Sequence, residues 1–144
     1  MFAGATGNHD IEFTNEQIKD CGFIDLDKED ITLVSNSGNT KYTLYGVRDT
    51  GRDNQIWTNV RRIDDNNDYS ILVAHNPDQL IHLEEGIHPD YMLSGHIHGG
   101  QIRTPFNIEF DHLRPDELPK QGIHSGRHVV NGTDLFISKG IGCI

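Results

Sequence analysis

The sequence predicts an α/β fold, and three observations carry that reading. Residues 69–74 (YSILVA) form a continuous apolar run of strand length, which suits a strand covered on both faces. Residues 91–93 (YML) form a second, shorter run, and each run ends in a polar loop that carries histidine: His75 after the first, and Ser94-Gly95-His96-Ile97-His98-Gly99-Gly100-Gln101 after the second. Between them Asn76 and Pro77 offer a cap and a first-turn proline for a helix reaching about Leu83. Strand, helix and strand with polar chemistry at the carboxyl ends is the pattern of an open α/β sheet, which gathers its ligands there.

The remaining elements follow in chain order. Residues 1–6 read as a strand running straight into Gly7-Asn8-His9-Asp10. Thr14, with Gln17 three residues on, is a helix N-cap with its reciprocal carboxamide, and the helix runs to about Asp20. Strands are expected at 23–26 and 31–34, the second ended by the turn cluster Asn36-Ser37-Gly38-Asn39, and at 41–47 (KYTLYGV) as a half-buried antiparallel strand. Residues 55–63 read as helical, with Trp57 as a core or groove anchor. The strand before the glycine-histidine loop spans 90–93, and a hairpin at 127–130 and 135–137 turns about Asn131-Gly132. There is no internal repeat, low-complexity stretch or linker, so one domain is expected.

Composition excludes some partners. With 22 acidic against 12 basic residues and a net charge of −10, the chain lacks the clustered Lys and Arg that grip a nucleic-acid backbone. No apolar run approaches a membrane span. Cys21 and Cys143 have no CxxC spacing and are expected to be small buried or semi-buried residues. Both ends stop in mid-pattern, so the chain is expected to be a segment of something longer.

The chemistry lies in three loops. In an extended backbone His96 and His98 would share a face with Cβ atoms roughly 6 to 7 Å apart, too wide for one ion. That spacing suits two ions about 3.5 to 4 Å apart, one histidine serving each. Gly95 and Gly99 would free the backbone and leave room for a substrate oxyanion. His75 adds an imidazole, Asn8 a neutral oxygen, and His9 a group that holds a proton near neutral pH. Mixed nitrogen and oxygen donors suit Mn, Fe, Co or Zn better than Mg or Ca. The other histidines are read as structural, with His124 the one nearest a loop that could face the site.

Three motifs, GNHD, the strand-end histidine in LVAHNPD, and GHIHGGQ, resemble the calcineurin-like metallophosphoesterase family. The tail HSGRHVVNGTDLFISKGIG is similar to the hairpin after the GHxH loop in that family's bacterial GHxHGGQ branch, which includes enzymes similar to UDP-diacylglucosamine hydrolases. The resemblance implies a four-layer α/β/β/α sandwich, hydrolysis of phosphate mono- or diesters and two divalent transition metal ions. It makes Asn8, His75 and His96 ligands of the second metal, His98 a ligand of the first, and His9 the group that assists the departing oxygen. Gly99, Gly100 and Gln101 would shape the pocket floor, and Arg103 would reach an anionic substrate group. The expected substrate is a phosphate-ester small molecule or a lipid-linked one, with any membrane association arising from upstream sequence. The family's first two motifs lie upstream of GNHD, so residues 1–144 are expected to be the C-terminal part of the domain, inactive alone. A non-catalytic scaffold of the same fold and a simple metal-binding module are the alternatives.

Overall fold

The computed structural model describes residues 2–10, 12–49, 68–100, 108–112 and 114–141. The expected helix at 55–63 with Trp57, the site residues Gln101 and Arg103, and Cys143 lie outside them. Eight strands occur among the described residues: β1 (Phe2–Gly4), β2 (Phe23–Asp25), β3 (Ile31–Val34), β4 (Lys41–Val47), β5 (Asp68–Ala74), β6 (Tyr91–Ser94), β7 (Gly126–Val130) and β8 (Thr133–Ile137). Helices are α1 (Asn15–Asp20), a 3-10 helix (Pro77–His82), α2 (Ile108–His112) and α3 (Glu117–Lys120). The fold is therefore mixed α/β, consistent with part of an α/β phosphoesterase sandwich.

Six strands form one sheet in the order β3-β4-β5-β6-β8-β7, parallel from β4 through β8 and antiparallel at both edges. The β7–β8 hairpin turns at Asn131 and Gly132, both left-handed, as the sequence pair predicts. β1 and β2 pair in parallel as a separate two-stranded sheet. Leu26 ties the two together, its N–H donating to Gly4 and its carbonyl accepting from Gly46. α1 opens on the expected capping box between Thr14 and Gln17.

The core lies on one face of the large sheet. Tyr45, Val47, Leu72, Ala74, Met92, Leu135 and Ile137 point there and pack against Leu80 of the 3-10 helix, Ile97, Phe110 of α2 and Leu118 of α3. The period-2 alternation of each strand sends the other residues to the opposite face. There Leu33, Tyr69, Leu93, Phe136 and Val129 are exposed, Val129 to 69%. β5, expected to be covered on both faces, is covered on one: Leu72 and Ala74 are buried, whereas Tyr69 is exposed and Ile71 and Val73 are half-buried. On the outer face Leu26 comes down against Gly46, the register partner of Val73, so the covering there is partial.

Two further expectations are corrected. Cys21 is exposed, because the end of α1 buries no residue. The helix expected from Pro77 is a 3-10 helix that ends at His82, where Leu83 returns to extended backbone; so short a segment takes the tighter geometry readily. No helix among the described residues is long and apolar enough to cross a membrane.

Candidate metal centre

Four chain segments deliver side chains to one place. The parallel register sets Val47 of β4 beside Ala74 of β5, so the residues just beyond both strands emerge together. β6 is locked to β5 by Gly95 N–H on the His75 carbonyl at 3.0 Å and by Ser94 Oγ on the same oxygen at 2.9 Å. The chain leaving β1 joins this edge where Asp49 N–H donates to the Thr6 carbonyl at 3.2 Å. Asn8, Asp49, His75 and His96 thus come from the carboxyl ends of β1, β4, β5 and β6.

His75 is the centre of the group. Its Nε2 stands 2.9 Å from Asn8 Oδ1 and 3.0 Å from His96 Nδ1, and the two rings meet edge-on with centroids 4.9 Å apart. Asn8 is buried, and the close approach depends on Gly7, where a Cβ would lie 2.8 Å from His75 Nδ1. The GNHD turn is closed by Gly7 N–H on Asp10 Oδ2 at 2.8 Å and by Asp10 N–H on the Gly7 carbonyl at 3.0 Å. Asn8 Oδ1 and His96 Nδ1 thus both face His75 Nε2, and each of the three atoms can offer a lone pair where a ring proton would otherwise be shared. A cation in place of that proton satisfies all three, so the donor set fits a divalent transition ion.

Electrostatics agree with that fit. Burial, with the neighbouring His96 charge, pushes the His75 pKa down to about 4, although Asp49 and Asp10 pull the other way. The ring is neutral at neutral pH and needs to shed no proton to ligate. Asp49, His75 and His96 each place a possible ligand atom within 4.8 Å of the others. The sequence reading left this ion with neutral donors alone; the buried Asp49 carboxylate supplies negative charge beside it. Asp49 lies two residues past β4, at the same sheet edge as His75, and that strand-end position is the signal that could have found it.

The loop after β6 departs from the extended geometry assumed for it. His96 and His98 both have positive φ, 65° and 53°, as do Gly99 and Gly100, while Gly95 does not. Left-handed histidines are uncommon and mark a site where the surroundings hold the backbone in place. Ile97 between them is fully buried in the core and pins the loop. His98 is not part of the tight Asp49–His75–His96 group and lies beside Gly140, near enough for its charge to act on His75. The space a Cβ would take at Gly99 is filled by the Lys139 stem, and at Gly100 by the Phe110 ring. His9 is exposed at the tip of its turn, and His124 stacks on Phe110 with centroids 4.9 Å apart.

A mixed α/β sheet with histidine, asparagine and aspartate donors at its strand ends has a candidate metal centre where open α/β sheets gather their ligands. No family model matches the chain, and no solved structure does. Among curated proteins it is 28% identical over 145 residues to the uncharacterized metallophosphoesterase YkoQ of Bacillus subtilis (strain 168), covering 94% of this chain and 51% of that protein. It is 34% identical over 142 residues to the uncharacterized protein YpbG of the same organism, with 94% and 49% covered. A third relative, the uncharacterized metallophosphoesterase YkuE, is 32% identical over 77 residues, covering 51% of this chain and 24% of its own length. The chain thus spans about half the length of YkoQ and YpbG. Two of these three relatives are named as metallophosphoesterases, and the chain is similar to them.

Proposed function

We propose that this chain forms one metal site of a phosphoester hydrolase. The observation that carries the reading is that Asn8 Oδ1 and His96 Nδ1 both stand within 3.0 Å of His75 Nε2, with the Asp49 carboxylate in the same group. Asn8, His75 and His96 would hold the ion, and Asp49 would offset its charge. His98, in the same loop but outside that group, would serve a second ion. When bound, the ions supply Lewis-acid charge and lower the pKa of a water. His9, exposed next to Asn8, would donate a proton to the departing oxygen, a contribution of about a hundredfold to ten-thousandfold. The substrate is a phosphate mono- or diester, and hydrolysis is a property of the whole protein.

The test is a Mn titration by calorimetry, followed by turnover of a chromogenic phosphodiester by the whole protein. Binding of Mn should be lost in His75→Ala and His96→Ala and weakened in Asp49→Asn, which keeps the shape and removes the charge. His9→Ala should keep Mn and lose kcat, most for poor leaving groups. Full Mn affinity in His75→Ala, or equal losses for good and poor leaving groups in His9→Ala, would sink the corresponding role.

A further inference from the structure

The segment between α2 and α3 touches the metal centre from behind. Asp116 is 2% exposed and forty residues from Asn76, yet its Oδ1 accepts from Asn76 Nδ2 at 3.2 Å and stands 3.5 Å from His96 Nε2. Its Oδ2 accepts from Arg114 Nε at 2.7 Å. The backbone that follows is fixed separately: the N–H groups of Glu117 and Leu118 both donate to the buried Asp78 carboxylate, which lies in the 3-10 helix after His75. The position of Asp116 is therefore set by several contacts that do not involve His96.

We propose that Asp116 is a positioning residue of the metal centre, accepting a hydrogen bond from His96 Nε2 and so holding the His96 Nδ1 lone pair toward the ion. This rests on the reading of Asn8, His75 and His96 as metal ligands. A neutral imidazole carries its one proton on either nitrogen, and the nitrogen that faces an acceptor keeps it. The Asp116 carboxylate accepts from Arg114 Nε at 2.7 Å and from Asn76 Nδ2 at 3.2 Å, so it presents acceptor oxygens to His96. With the proton on Nε2, the other ring nitrogen is bare and faces His75 Nε2 at 3.0 Å. A carboxylate behind a metal-bound histidine fixes ring orientation and raises its basicity. Asn76 carries the same carboxylate to the residue beside His75, so one side chain steadies both strand-end loops.

The test uses the 144-residue chain labelled with 15N in histidine. Long-range proton–nitrogen correlation of the metal-free protein should show His96 as the Nε2–H tautomer, assigned against His96→Gln. Asp116→Ala should lose that preference and bind Mn about 10- to 100-fold more weakly. Asp116→Asn, which keeps an acceptor, should lose less. Failure of the wild-type chain to bind Mn would overturn the metal reading itself. Mn binding together with an Nδ1–H tautomer in the wild-type protein would overturn the role of Asp116 alone, and needs no variant that folds. So would an Asp116→Asn protein, folded by circular dichroism, whose His96 has lost the Nε2–H form.

Discussion

Gly7 shows how much of the centre depends on a missing atom. A Cβ there would sit 2.8 to 2.9 Å from three atoms of the His75 ring, well inside contact distance. Gly7→Ala should push the ring from Asn8 and His96, cost about 1 to 3 kcal/mol by overpacking and weaken Mn binding. Thermal unfolding and a Mn titration check this; wild-type affinity in the variant would mean that the ring is not held against Gly7. His75 also makes stability depend on pH. Its pKa is about 4 in the fold against 6.5 in the unfolded chain, so on acidification the unfolded chain takes the proton first. The stabilisation is complete above 6.5 and is lost as pH falls to about 4, at no more than about 1.4 kcal/mol per unit. Asp116, depressed instead, contributes above the ordinary carboxylate range and loses its contribution only below it. Urea midpoints of the metal-free chain should fall between pH 6.5 and 4, and His75→Gln should flatten that fall.

Most elements were legible where sequence pattern and packing agree. The alternation of KYTLYGV, the Thr14–Gln17 box and the Asn131-Gly132 turn each correspond to one local physical cause and one observed feature. α2 and α3 gave no such signal: they are five and four residues long, and α3 holds Pro119 and leans on the Asp78 carboxylate from elsewhere in the chain. The site divides in the same way. Asn8, His75 and His96 stand in recognisable motifs, but Asp49 and Asp116 are two among 22 acidic residues, and only folding brings them to the histidines. The loop after β6 is not extended as its His-x-His alternation suggests: His96 and His98 take left-handed φ on either side of the buried Ile97, a backbone choice set by packing that the spacing does not reveal. Ile97→Ala should cost about 2 to 5 kcal/mol and broaden the ring resonances of His96 and His98 together. If only one ring responds, the shared anchor is refuted.

At the scale of the whole molecule, the sheet has two unlike faces. One packs Leu72, Met92 and Leu135 at full burial; the other leaves Leu33, Tyr69, Leu93, Phe136 and Val129 in water. Sequence alternation foretold which residues share a face, but not whether a face is covered, since that depends on packing between elements distant in the chain. The uncovered face has a thermal consequence. Unfolding raises heat capacity because apolar surface becomes wet, by about 12 to 15 cal/mol/K per residue in ordinary domains. Here part of that surface is hydrated before unfolding begins. Calorimetry on this chain should give an increment below the value of about 2 kcal/mol/K that 144 residues would otherwise have, and an increment at or above it would contradict the open face. The stability curve should accordingly be broad and shallow, with little loss on cooling and a gradual thermal transition.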